Sequence, residues 1–145
     1  EPINTLIEIN DVLYSGVATE DDGKALTYTI DSGVGRRIEF VFEFIVDRTN
    51  LVQLQFKVEG IQGQPFQLQT YDPASQTWDT ANVATYDGKT AEQVVTLTLQ
   101  TPSKYLNSSN QIRLRMLSIN TFTSGTMTLS TDYAELIKTY QVKAG

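Results

Sequence analysis

The chain has 145 residues, of which 40% are hydrophobic and 19% charged, a net charge of −6 at pH 7, and neither cysteine nor histidine. This composition is typical of one globular domain, so we predict a single domain over residues 1–145. The two missing residue types exclude thiol nucleophiles, Ser-His and Cys-His dyads, and nearly all zinc, copper and haem ligation. The negative charge makes nucleic acid and anionic membranes poor partners, and no apolar stretch approaches the roughly 20 residues needed to cross a bilayer.

The first thirty residues are predicted to form short strands joined by polar loops. Residues 5–9 form an opening strand, residues 12–14 a second strand or its continuation past a bend, and residues 25–30 a third strand. The loop at residues 19–24 is acidic but lacks the spaced ligand series of a calcium loop. We therefore interpret it as a solvated turn.

The run at residues 36–47 is the strongest structural signal in the chain. Its apolar residues stand at every second position: Ile38, Phe40, Phe42, Phe44 and Val46. Successive side chains of a strand point to opposite faces, so this spacing predicts a long central strand with one face in the core. Glu39, Glu43 and Asp47 lie on the opposite face, which is typical of a strand whose outer side is partly wet.

The second half of the chain repeats the same alternation. Period-two strands are predicted at residues 51–59, 66–71, 93–100 and 111–118, with a closing strand at residues 126–137.

Shorter features lie between these strands. The turn residues Asp72 and Pro73 predict a hairpin that returns through residues 77–79 and carries the single tryptophan, Trp78. A helical turn is expected near Tyr105, and residues 81–90 show no clear pattern.

Nine or ten short strands without an amphipathic helix between them indicate the fold class. We predict an all-β protein, an antiparallel β-sandwich of jelly-roll type. The tail at residues 138–145 has no clear pattern, and we interpret it as a segment that extends toward a neighbour.

Three segments near the ends of the chain resemble galactose-binding-like jelly rolls, the nearest being carbohydrate-binding modules of families 6 and 35. They are the Ile-Glu-Ile-Asn of residues 7–10, the Ile-Arg-Leu of residues 112–114 and the Asp-Tyr-x-x-Leu of residues 132–136. The resemblance covers the two ends of the chain and little of its middle.

This resemblance implies a structural calcium between the first and last strands, held here by Glu8 and Asp132. Carboxylates from adjacent strands are suitable ligands for this hard cation. The family has a second acidic residue shortly after the first, whose place Asn10 or Asp11 would take here. The alternative is that Glu8 and Asp132 pair or cap at a sandwich edge.

Aromatic and acidic side chains on and after the predicted hairpin are the candidate ligand-binding residues. An aromatic ring can stack on the apolar face of a sugar while amides and acids bind its hydroxyls. The residues in question are Tyr71, Asp72, Trp78, Asp79 and Tyr86, with Gln76 and Asn82 beside them. The alternative is that Trp78 only packs its hairpin onto the sandwich.

These features predict a non-catalytic recognition module of a secreted, cell-surface or virion-surface protein that binds carbohydrate. No enzyme is predicted, because no specific feature supports one. Catalysis would have to rest on carboxylates, and Glu39 and Glu43 would lie about 13 Å apart on one strand, beyond the separation that glycoside hydrolysis uses, while other carboxylate pairs stay open. The chain starts at Glu1, so we expect a mature product or a domain cut from a longer protein.

The alternative function is a structural subunit that self-associates into a homo-oligomer. A capsid decoration protein, a head-fibre domain or an extracellular filament protein would fit the Thr- and Val-rich strands. The tail at residues 138–145 would then add a strand to the sheet of a neighbouring subunit.

Overall fold

The computed structural model describes residues 3–11, 28–31, 36–60, 65–89, 93–120 and 134–143. These residues form ten strands and one 3₁₀ helix: β1 (Ile3–Asp11), β2 (Tyr28–Asp31), β3 (Arg36–Ile45), β4 (Leu51–Gly60), β5 (Phe66–Asp72), β6 (Thr77–Trp78), β7 (Ala84–Tyr86), β8 (Gln93–Leu99), the 3₁₀ helix (Pro102–Tyr105), β9 (Gln111–Ser118) and β10 (Ala134–Lys143). The predicted strand at residues 12–14 and the acidic loop at residues 19–24 lie outside the described residues.

The strands form two antiparallel sheets. One sheet has the order β1-β10-β4-β8, and the other has the order β2-β3-β9-β5-β6, with β7 also paired to β5. The pairs are nested along the chain: β1 pairs with β10, β3 with β9, β4 with β8, and β5 with β7. This nesting is the strand order of a jelly roll. The predicted fold class is confirmed.

Aromatic side chains from facing strands join the two sheets. Phe56 of β4 meets Phe42 of β3 with ring centroids 5.2 Å apart, and it meets Phe44 at 6.1 Å. Phe42 is 1% exposed, whereas Ile45 on the other face of β3 is 74% exposed. The predicted division of β3 into a core face and an outer face is confirmed for these residues.

The last strand extends beyond its predicted end at residue 137. β10 begins at Ala134 and runs to Lys143, and residues 121–133 lie outside the described residues. Residues 138–143 thus belong to β10, where they pair with β1 in a register that ends at Ile3 opposite Lys143. Backbone pairing needs no alternation of side chains, so a segment without a pattern can still be a strand.

A close contact explains one glycine of the sandwich. A Cβ built on Gly60 would lie 2.7 Å from Cδ1 of Tyr86. The Tyr86 ring is 0% exposed and packs on Phe66 with centroids 5.1 Å apart. The ring therefore has little room to move away from a larger residue at position 60.

Replacing Gly60 by alanine is expected to lower the free energy of unfolding by about 1 to 3 kcal/mol, because the added methyl would overlap the Tyr86 ring. Urea unfolding followed by circular dichroism measures this change. In a Tyr86→Leu background the same replacement should cost less, since the ring is gone. An equal cost in both backgrounds would show that the ring is not the obstacle.

Candidate functional site

The outer face of the six-stranded sheet carries a continuous group of polar and aromatic side chains. In the register, Arg113 of β9 is opposite Glu43 of β3, and Arg115 is opposite Gln69 of β5. Tyr71 of β5 is opposite Trp78 of β6. Directly opposite residues of antiparallel strands share a face. We call this set the outer strip: Glu43, Gln69, Tyr71, Trp78, Arg113 and Arg115.

Tyr71 and Trp78 form an aromatic pair within the outer strip. Their ring centroids lie 5.2 Å apart at an interplanar angle of 71°, an edge-to-face arrangement, and both side chains are partly buried. The guanidinium carbon of Arg115 lies 4.4 Å from the centroid of Trp78, and that of Arg113 lies 5.9 Å from the centroid of Tyr71. These cation–π contacts fix the rings on the outside of the sheet.

Hydrogen bonds hold both arginines in turn. Nε of Arg113 donates to Oε2 of Glu43 at 3.0 Å. Nε of Arg115 donates to Oε1 of Gln69 at 2.7 Å, and Nε2 of Gln69 donates to Gln67 at 2.7 Å. The positions of the guanidinium groups, and of the rings that they contact, are therefore set before any ligand arrives.

A depression of about 220 Å³ lies at one end of the outer strip. It is bounded by the β5–β6 loop and by the segment between the 3₁₀ helix and β9. Its lining combines aromatic, amide and guanidinium groups, from Tyr71, Pro73, Gln76, Tyr105, Asn107, Gln111 and Arg113. Such a mixture offers ring surface together with hydrogen-bond donors and acceptors.

Two of the lining amides are held by hydrogen bonds within the protein. Oδ1 of Asn107 accepts from the backbone N of Ser109 and of Gln111, both at 2.9 Å. Nδ2 of Asn107 donates to Oε1 of Gln111 at 3.0 Å, and Nε2 of Gln111 donates to Oε1 of Glu43 at 3.3 Å. Asn107 and Gln111 therefore form a fixed wall of the depression.

Asp79 and Tyr105 join the two sides of the depression. The Tyr105 hydroxyl donates to Oδ2 of Asp79 at 2.5 Å, and the backbone N of Ala81 donates to Oδ1 at 2.8 Å. The bond from Tyr105 is the main cause that lowers the pKa of Asp79 below its ordinary 3.8. Burial, followed by the bond to Asp79, raises the pKa of Tyr105 to about 12.

The structure separates the five predicted ligand-binding residues. Tyr71 and Trp78 lie together on the outer strip. Asp72 and Asp79 lie beside them, but their Oδ1 atoms accept from backbone N groups of their own turns, at Ala74 and Ala81. Tyr86 is 0% exposed and lies in the core, apart from the surface that carries the other two rings.

Sequence reasoning did not identify the residues that complete the site. Tyr105, Asn107, Gln111 and Arg113 come from a segment well after the hairpin and reach it only because β9 pairs with β5. The alternation in β9 placed Arg113 and Arg115 on its outer face. That alternation does not show which strand pairs with β9, so it could not place β5 beside the two arginines.

The predicted calcium site lies mostly outside the described residues. Asp132 is among the residues that the structure does not describe. Glu8 lies in β1 at the register position opposite Lys138, which is 7% exposed. In the described part of the chain, no group of three or more acidic side chains could hold a metal ion. Calcium at Glu8 and Asp132 stays a prediction.

No protein-family model matches the chain, and no curated protein sequence matches it. Within the residues that the structure describes, no helix is both long and apolar enough to span a membrane. Function is therefore inferred from the geometry of the outer strip and the depression beside it.

The bond between Tyr105 and Asp79 is expected to stabilise the fold. A double-mutant cycle with Tyr105→Phe and Asp79→Ala should give a coupling energy of about 1.5 to 3 kcal/mol at pH 7, as for a hydrogen bond to a charged group. Chemical unfolding of the four proteins measures it. A coupling near zero would mean that the bond does not contribute to stability.

The same coupling should depend on pH in both directions. Because the pKa of Asp79 is lowered from 3.8, its contribution is present above pH 3.8 and is lost as the pH falls through the folded-state pKa. Because the pKa of Tyr105 is raised from 10.0 to about 12, its contribution is present below pH 10 and is lost as the pH rises toward 12. Repeating the cycle at acidic and alkaline pH tests both limits. A coupling unchanged at either limit would contradict the assignment of the shift to this pair.

Proposed function

We propose that this protein is a non-catalytic recognition module that binds carbohydrate on the outer strip and in the depression beside it. The observation that carries the proposal is the Tyr71–Trp78 pair, fixed on the outside of the sheet next to a depression lined by amides. A sugar ring stacks its apolar face on Tyr71, and its hydroxyls bind the polar groups around it. The module belongs to a secreted, cell-surface or virion-surface protein.

The rigidity of the site supports recognition. Arg113 and Gln111 both donate side-chain hydrogen bonds to Glu43, and Asn107 donates one to Gln111. Binding to groups that are already in place avoids part of the entropy cost of ordering side chains. A rigid, mostly neutral surface of this kind suits a ligand that has many hydroxyls and no strong charge.

The carboxylates of the site act as acceptors that hold its walls. Glu43 accepts from Arg113 and Gln111, and Asp79 accepts from Tyr105. A lowered pKa keeps Asp79 ionised at neutral pH, which opposes a role as general acid. These roles favour binding over hydrolysis.

The resemblance of the terminal segments to galactose-binding-like modules belongs to the same proposal. The nested jelly-roll order agrees with it. The structural calcium that the resemblance implies, at Glu8 and Asp132, is included in the experiment below.

The alternative of a self-associating structural subunit has less support. The pattern-poor tail was the sequence feature that favoured it. Residues 138–143 instead belong to β10 and pair with β1 of the same chain. We therefore propose recognition as the function, and self-association becomes an outcome of the test.

Trp78 is the single tryptophan, so its fluorescence reports directly on the outer strip. Titration with soluble polysaccharides, in calcium and in EDTA, is expected to give a saturable change with at least one of them. Tyr71→Ala should weaken that binding about tenfold, a difference of about 1.4 kcal/mol, because the stacking ring is lost. Affinity electrophoresis extends the comparison to Trp78→Ala, which has no tryptophan fluorescence.

Ile119→Ala is the matched control for these variants. Ile119 is 41% exposed and follows β9 at the end opposite to Gln111, so its removal should leave binding unchanged. Circular dichroism checks that every variant is folded. If no polysaccharide binds and the protein forms concentration-dependent oligomers in light scattering, the structural subunit replaces recognition.

A further inference from the structure

Gln76 has a strained backbone at the edge of the depression. Its φ is 58°, in the left-handed region that side chains with a Cβ rarely occupy. The residue closes the β5–β6 loop, where its backbone N donates to the carbonyl of Asp72 at 2.8 Å. Glycine would satisfy this turn without strain.

The other non-glycine residues with positive φ in the described part of the chain are asparagines. Asn50 has a φ of 62° and Asn110 a φ of 59°. Asparagine tolerates this region because its short side chain bonds locally to the backbone, whereas glutamine has no such preference. Gln76 therefore departs from the usual residue choice, and a strained position of this kind points to a functional reason.

The side chain of Gln76 also differs from the other amides that line the depression. Asn107 and Gln111 bond to each other, and Gln111 bonds to Glu43. The Gln76 side chain is exposed, lines the depression, and makes no hydrogen bond to any residue that the structure describes. Its amide thus presents both a donor and an acceptor to the space where a ligand would lie.

The charge of the depression indicates the class of ligand. Arg113 is the charged group in its lining, and that guanidinium already bonds to the Glu43 carboxylate at 3.0 Å. The remaining polar groups of the lining are three amides and two tyrosine hydroxyls. The whole chain carries a net charge of −6. A neutral ligand fits this environment better than an acidic one.

We propose that Gln76 is the specificity-determining residue of the depression, and that it binds two adjacent hydroxyls of a neutral sugar. Oε1 accepts from one hydroxyl while Nε2 donates to the next. This inference rests on the proposed carbohydrate-binding function and assigns it a ligand class and a residue. Glycine at position 76 would relieve the backbone strain but would also remove the amide that binds the sugar.

Two variants separate the side chain from the backbone. Gln76→Gly removes the amide and relieves the strain, so the Tm should stay the same or rise while the affinity for a neutral polysaccharide falls about tenfold. Gln76→Glu keeps the length but loses the donor and adds a charge, so it should also weaken binding. Asn50→Gly is the matched control, because it relieves a similar φ outside the lining of the depression and should not change the affinity.

The probes are soluble xylan, β-glucan and mannan as neutral polymers, and alginate and polygalacturonate as acidic ones. Trp78 fluorescence gives the affinity and thermal unfolding gives the Tm. If the wild type binds a neutral polymer and Tyr71→Ala weakens it, but Gln76→Gly binds as tightly as wild type, this inference fails and the proposed function stands. If the protein binds the acidic polymers more tightly than the neutral ones, the proposal that the ligand is a neutral sugar is wrong. If the wild type binds none of the polymers, both proposals fail.

Discussion

Strand β9 buries one face in the core and exposes the other to solvent. Both the core between the sheets and the outer strip depend on this division. Ile112, Leu114 and Met116 are each 0% exposed and fill the space between the sheets. The intervening residues Arg113 and Arg115 lie on the opposite face, where they contact Tyr71 and Trp78. β9 lies between β3 and β5, so one strand connects the carboxylate of Glu43 to the aromatic pair. A shift of β9 by one residue would reverse both faces, and the hydrophobic burial therefore also fixes the register of the site.

The ion pair of Arg113 with Glu43 illustrates what the outer strip contributes. The two side chains are 54% and 39% exposed, and exposed ion pairs add only about 0 to 1 kcal/mol to stability. This pair contributes mainly by orienting a side chain, because it directs the Arg113 guanidinium toward Tyr71. Gln69, by contrast, is 4% exposed, and it accepts the bond from Arg115. Stability thus comes chiefly from the core, whereas the outer strip uses its bonds to orient side chains.

The sequence was sufficient for those elements whose side chains alternate. β3, β4, β5, β8 and β9 lie within two residues of their predicted limits because each has one face in the core. β7 was not predicted, since a three-residue strand is too short to show a period. β10 continues six residues past its predicted end, because its last residues are held by backbone pairing with β1 rather than by an alternating pattern.

The same distinction explains the site. Tyr71 and Trp78 were predicted together because a hairpin brings close neighbours in sequence into contact. Tyr86 was grouped with them by proximity in sequence, yet its ring lies against Gly60 in the core. Arg115 and Gln69 are 46 residues apart and meet only through the pairing of β5 with β9. Such contacts follow from the order of strands in the sheet, which local periodicity does not contain.

The depression combines a wall of hydrogen-bonded amides, Asn107 and Gln111, with the exposed side chain of Gln76. The two parts contribute differently to binding. Asn107 and Gln111 are bonded to each other, so they contribute to any ligand mainly through the shape of the wall they form. Gln76 lies in a strained turn, and its exposed amide makes no hydrogen bond to the described residues, so it can select among ligands that already fit the shape. Rigid groups reduce the entropy cost of binding. Discrimination between similar sugars then depends on the Gln76 amide, whose hydrogen bonds form only when the ligand has hydroxyls in matching positions.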